Sequence, residues 1–264
     1  MVKKTTFNKS GYDNNSTYFE CNFNSNYIPC IFIHGVGLNI SMWSKQKKFF
    51  KKNIIFYDLL NHGQTKNNLN PVKYSDFNNQ LKKLIDFLDL KKINLVGFSM
   101  GSTIAINFAI KFKENINKLV LISTAYKRSN EEIKQVISRY NQAKEGLNIQ
   151  NSAVNRWFTN KYLKQNPKVN KFFLNLLKSN KSKNFLPVYK LFASSNNINN
   201  NFKNFNIPTL IITGDSDNNS TPNMSLKLSK EIKNSKILIV SNAKHMAIYE
   251  KEKIINLQIK KFLK

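Results

Sequence analysis

Six short apolar runs, rich in isoleucine and valine, constrain this chain more than anything else in it: Cys30–Ile33, Ile54–Tyr57, Ile93–Val96, Leu119–Ile122, Leu210–Ile212 and Ile237–Val240. None alternates apolar with polar residues. Successive side chains of a strand point to opposite faces, so an unbroken apolar run predicts a strand covered on both. Helical periods separate the runs. Over 74–90, Tyr74, Phe77, Leu81, Leu84, Ile85 and Leu88 recur at three- and four-residue steps, and the stretch from Ile248 to Leu263 has the same look. Thr221-Pro222 supplies an N-cap and a proline for a first helical turn. Strands alternating with helices predict a mostly parallel sheet flanked by helices. Before the first run, the alternating stretch Thr17–Phe23 reads as a hairpin or a pair of edge strands, which brings the sheet to eight.

The alternation breaks once. From about Ala125 to Asn206 no strong strand is visible, while Ser129-Asn130-Glu131-Glu132 reads as a capping box at a helix start. A helical insertion after the sixth strand predicts a lid over the carboxyl ends of the strands, where open sheets place ligands. The expected division is therefore a core over 1–124, a helical cap over 125–206, and a return to the core over 207–264. The polar tract Ser194–Asn201 reads as the linker between cap and core. A chain of 264 residues can bury one full core of this kind.

The net charge of +27 raises nucleic acid as a partner. The type of base argues against it. Of 42 basic residues only Arg128, Arg139 and Arg156 are arginine, and base-reading and phosphate-forking sites favour arginine's planar fork. The lysines are scattered, so no specific nucleic-acid site is expected. No apolar run approaches the roughly 20 residues that cross a bilayer, and the basic start MVKKTTFNKS has no apolar stretch behind it. A cytoplasmic protein without a membrane partner, monomeric or homodimeric, is expected. Cys21 and Cys30 form no CxxC and sit near no histidine cluster, so two reduced cysteines in neighbouring strands are expected, and no metal site.

The chemistry gathers at strand ends. Gly97-Phe98-Ser99-Met100-Gly101 stands between the run Ile93–Val96 and a helical segment. A G-x-S-x-G pattern in that position predicts a sharp strand-to-helix turn that lifts the serine hydroxyl above the sheet, with the Met100 amide free to bind an oxyanion. Such a serine needs a base. The chain has three histidines; His34 and His62 lie in glycine-rich turns ahead of the serine, and His245 directly follows the last run. His245 is the expected base, and His34 and His62 the expected organisers of surrounding loops. The orienting carboxylate comes from Thr213-Gly214-Asp215-Ser216-Asp217. Asp217 is favoured over Asp215, because the residue beside Gly214 is expected to be tied into its own turn. His34-Gly35-Val36-Gly37, after the third strand, offers the Val36 amide as second oxyanion donor. As a dinucleotide-binding loop it lacks the third glycine.

Together, IFIHGVG, YDLLNHGQT, VGFSMGS, TGDSD and AKHM, in that order, resemble the α/β-hydrolase superfamily over nearly the whole chain. The resemblance implies a Ser99–Asp217–His245 triad, Val36 and Met100 amides as oxyanion hole, and no cofactor. Two departures concern loop geometry: Leu60-Asn61-His62-Gly63 replaces the usual Arg-Gly-His-Gly, and Ser102 stands where a second glycine is common. Thr124–Ser129 and Arg156-Trp157-Phe158-Thr159 look like the 3-oxoadipate enol-lactonases and nearby small-ester hydrolases. That implies a small-molecule ester or lactone carrying a carboxylate, with Arg128, Arg156 and Trp157 as substrate contacts; the alternative for the two arginines is surface charge on the lid. The same triad would also serve a hydrolase of carbon–carbon bonds in ring-cleavage products, a cofactor-free haloperoxidase-like enzyme, or a small-ligand receptor with slow turnover.

Overall fold

The structure, a computed structural model, describes residues 6–195 and 201–264. Eight strands form one sheet: β1 (Thr6–Tyr12), β2 (Tyr18–Asn24), β3 (Cys30–Ile33), β4 (Ile54–Tyr57), β5 (Ile93–Phe98), β6 (Ile116–Ile122), β7 (Thr209–Gly214) and β8 (Ser235–Val240), in the spatial order β1-β2-β4-β3-β5-β6-β7-β8. β2 runs antiparallel to β1 and β4, and every other pairing is parallel. Helices α1 (Ser44–Phe50), α2 (Tyr74–Phe87), α3 (Met100–Lys111), α9 (Pro222–Glu231), α10 (Ala247–Glu250) and α11 (Glu252–Leu263) flank it. Between β6 and β7 stand α4 (Asn130–Lys144), α5 (Gln150–Trp157), α6 (Asn160–Gln165), α7 (Pro167–Lys178) and α8 (Ser182–Ser194). Among the described residues no helix is long and apolar enough to cross a membrane.

The unalternated runs work as strand parity requires. Ile31, Ile33, Leu95, Leu119, Leu121 and Ile211 join one apolar layer, with α2, α3 and α9. Their chain neighbours Phe32, Val96, Phe98, Val120, Ile122 and Ile212 join the other, with Trp43 and with Ile255 and Ile259 of α11. Each fully buried side chain of this kind contributes about 1.5–3 kcal/mol. The helical insertion shares that second layer: Val154, Phe158, Phe173 and Leu176 belong to it. It is thus packed onto the sheet edge by the same burial that builds the core.

Register places the site. Ile33 pairs with Gly97, Phe98 with Ile122, Ile122 with Ile212, and Gly214 with Val240. The carboxyl ends of β3, β5, β6, β7 and β8 are therefore level, and the loops that follow them leave from one edge of the sheet.

Three expectations need correction. β8 is not covered on both faces: it pairs with β7 alone, and Ile237 and Ile239 are 37% and 41% exposed. Cys21 and Cys30 are free and buried, but β4 lies between their strands, so they are not neighbours. The period over 248–263 breaks at Lys251, whose φ and ψ of −115° and 36° end α10 before α11 starts. Residues 196–200, most of the tract read as a linker, and residues 1–5, the basic start, lie outside the described residues.

Candidate active site

Ser99 sits at the turn between β5 and α3 with φ 53° and ψ −117°, a left-handed conformation that β-branched and bulky residues strongly resist. The turn needs its glycines for space. A Cβ at Gly97 would lie 2.5 Å from the Gly101 carbonyl oxygen, and one at Gly101 would lie 2.3 Å from that of Ile33. Only bare backbone lets α3 start this close to β3 and β5. Ser102, the departure from a second glycine, is built in: its buried hydroxyl donates to Gly97 O at 2.7 Å and accepts from Ile122 N at 3.1 Å, joining α3 to two strands.

At the ends of β7 and β8, His245 Nδ1 lies 2.8 Å from Asp217 Oδ2, and the two residues are 5% and 1% exposed. The other Asp217 oxygen accepts from Asn219 N and Ser220 N at 2.8 and 3.0 Å. A buried carboxylate that receives three hydrogen bonds is fixed in direction, and it selects the His245 tautomer with its proton on Nδ1. Asp215 faces elsewhere. It accepts from Asn242 N and Ala243 N, closing the turn against the end of β8, and those backbone donors hold its carboxyl below the usual range. Ser99 and His245 line the same cleft, with the Phe98 ring 5.1 Å from the imidazole. No hydrogen bond joins the Ser99 hydroxyl to His245 among the described residues. Such contacts often tighten only when substrate is bound.

The loop after β3 is fastened by the other two histidines. His62 Nε2 accepts from Gly37 N at 2.9 Å while its Nδ1 donates to Leu60 O, and His34 Nε2 accepts from Leu59 N at 3.0 Å while its Nδ1 donates to Gly35 O. Both rings are neutral. Burial lowers His34 from 6.5 to about 4 and His62 to about 3, the latter helped by its neighbour His34. Neither is placed to move a proton at Ser99. Asn61, standing for a usual glycine, takes φ 65° and spends its side chain on Leu69 N, Leu69 O and Asn184 O of α8. The loop so fixed leaves the Val36 N–H without a partner among the described residues, as is the Met100 N–H at the start of α3.

The insertion closes the cleft from above. Trp157 lines it, and its carbonyl accepts from Met246 N at 2.8 Å, beside His245. Arg128 and Arg156 both line the cleft: Arg128 is 7% exposed, and its Nη1 donates to Phe192 O and Ser195 O, while Arg156 is half-buried. Arg139 lines it too, and was not singled out by sequence, since on α4 it reads as one more solvated base. The available signal was its type, one of three arginines among 42 basic residues. Phe185, Tyr189 and Phe192 of α8 form an apolar wall that helical period alone could not assign to a ligand.

Comparison with known proteins places this geometry. The sequence pattern of the alpha/beta hydrolase fold matches residues 28–252. The chain is 27% identical over 224 residues to (E)-2-((N-methylformamido)methylene)succinate hydrolase of Acinetobacter baylyi, covering 83% of each chain. It is 24% identical to 3-oxoadipate enol-lactonase 2 of the same organism, over 89% of this chain and 88% of the other. The crystal structure of the enol-lactonase from Burkholderia xenovorans LB400 superposes with a TM-score of 0.86 at 21% identity, covering 97% and 99% of the two chains.

Proposed function

The chain belongs to the alpha/beta hydrolase fold family, and on that premise we propose that it is a serine hydrolase cleaving a carboxylic ester or enol-lactone of a small, carboxylated substrate through an acyl-enzyme on Ser99. The observation that carries the reading is the buried Asp217–His245 pair at 2.8 Å in the cleft that Ser99 lines from its strained turn. The names of two relatives, one for a succinate and one for an oxoadipate lactone, support an acid-bearing substrate.

Each residue has a step. His245 Nε2 takes the Ser99 proton as the oxygen attacks the carbonyl carbon. Asp217 keeps the Nδ1 proton directed at itself and stabilises the imidazolium that forms. The Val36 and Met100 N–H groups receive the developing oxyanion. His245 then gives its proton to the departing alcohol or enol. A water, deprotonated by the same imidazole, attacks the acyl carbon and releases the acid and Ser99. Arg128 or Arg156 would hold the substrate carboxylate through the lid.

Steady-state hydrolysis of small esters and enol-lactones, with and without a free carboxylate, tests this. Turnover is expected, with Ser99→Ala at background. Equal turnover by Ser99→Ala, or none by the wild type across the panel, would remove the reading.

A further inference from the structure

The only three arginines of the chain line one cleft, the one shared by Ser99 and His245. Everywhere else this protein uses lysine for positive charge. The difference is chemical: lysine offers a point charge, arginine a planar fork that matches a carboxylate.

Two of the forks are set in the same way. Arg128 is anchored through Nη1 to Phe192 O and Ser195 O, and its guanidinium lies over the Phe192 ring at 4.5 Å. Arg156 is anchored through Nη1 to the Ser152 hydroxyl at 3.1 Å. In both, Nε is buried without a partner, and among the described residues the side chain's hydrogen bonds leave from Nη1 alone. The Nε–Nη2 edge is the one a carboxylate grips with both oxygens, so each residue holds an unfilled bidentate site, on a buried and doubly anchored group in Arg128 and on a half-buried, singly anchored one in Arg156. A buried donor left unmade is costly, and two at one cleft call for a ligand.

The third arginine adds charge between them. Arg139 lies within electrostatic reach of Tyr189 and of both others; burial above all, with the Arg139 charge adding, lowers the Arg128 and Arg156 guanidinium groups from their ordinary value. Among the described residues no carboxylate pairs with any of the three. The Glu132 carboxylate, near Arg128 in sequence, is used at the N-cap by Ser129 N at 2.6 Å. Three cations without an ion-pair partner among the described residues thus face one apolar-walled cleft.

We propose that the substrate carries two free carboxylates remote from the bond that is cut, one taken by Arg128 and one by Arg156, with Arg139 as the residue that makes the cleft select a diacid over a monoacid. This rests on the serine-hydrolase reading above for what happens at the carbonyl, and adds the number of charges on the substrate.

The test compares p-nitrophenyl esters of butyrate, glutarate and tricarballylate, whose acyl parts bear no, one and two free carboxylates. We expect kcat/KM to rise by roughly tenfold or more from one carboxylate to two. Arg139→Gln should lower that preference by about tenfold, while Lys134→Gln, an exposed charge on the same helix, should leave the preference unchanged. A preference under about twofold, or an equal loss in both variants, would overturn the proposal. Should Ser99→Ala cleave as fast as wild type, or no ester turn over, the hydrolase reading fails separately. Calorimetric binding to the full protein then decides the cleft: glutarate, with two carboxylates, binding about tenfold tighter than butyrate, with one, and weakened by Arg139→Gln, supports it, and equal binding overturns it. Inorganic phosphate binding more tightly than glutarate would also overturn it, in favour of a phosphate site.

Discussion

Asp217 Oδ2 and His245 Nδ1 meet at 2.8 Å although 27 residues, with α9 and β8 among them, separate the two, and both side chains are out of water. Asp217→Asn keeps the shape but replaces the acceptor with an amide that favours the wrong imidazole tautomer. We expect kcat to fall by about 10⁴-fold with the fold intact. Asp215→Asn, whose carboxylate accepts from Asn242 N, Ala243 N and the neighbouring Ser216 hydroxyl and does not reach His245, should cost about 1 kcal/mol of stability and leave kcat within a few-fold. Steady-state kinetics beside urea unfolding of the two variants separates them; equal kinetic losses would reassign the acid.

Gly101→Ala should damage the serine turn from a distance. Its new methyl would meet Ile33 O at 2.3 Å, a backbone atom of a central strand that has nowhere to go. We expect a loss of roughly 1–3 kcal/mol together with loss of Ser99 reactivity, read by urea unfolding and covalent labelling. A stable, fully reactive variant would refute the packing argument.

His34 and His62 should make the protein sensitive to acid. Their folded values, about 4 and about 3, lie below the ordinary 6.5. The unfolded chain therefore binds more protons between those limits, and stability falls as pH drops from about 6.5 toward 4, with a slope of up to about 1.4 kcal/mol per pH unit for each histidine. His62→Gln retains an oxygen that can accept from Gly37 N and removes one titrating group. Its unfolding free energy should fall less steeply than wild type over that range. Parallel slopes would show that His62 does not titrate on unfolding.

Glu250 fastens the insertion to α10. The 9% exposed carboxylate accepts from Thr159 N at 3.1 Å and from the Thr159 hydroxyl. Glu250→Ala should cost about 1–3 kcal/mol, felt first as faster hydrogen exchange in α5 and α6, with β5 and β6 slow. Uniform acceleration across the sheet would mean that the contact belongs to the global fold.

Much of this was legible in the residues. Buried parallel strands need apolar side chains on both faces, so β3 to β7 announce themselves as unbroken runs; the turns after β5 and β7 carry Ser99 and Asp217, and the turn after β8 carries His245. What sequence hid is pairing order. β8 reads like its neighbours, yet as an edge strand it leaves Ile237 and Ile239 exposed. Cys21 and Cys30 are close in the chain, yet β4 inserts between their strands. Arg139 escaped because helical period on a polar helix carries no signal for which polar face meets a ligand; the packing of α4 on α8 decides that.

The most direct measurement is the intact mass of the protein after exposure to a fluorophosphonate, with Ser99→Ala beside it. One adduct on the wild type, mapped to Ser99, and none on the variant is the expected result. A well-folded wild type that takes no adduct, or a variant that takes the same one, would contradict an activated serine at the end of β5.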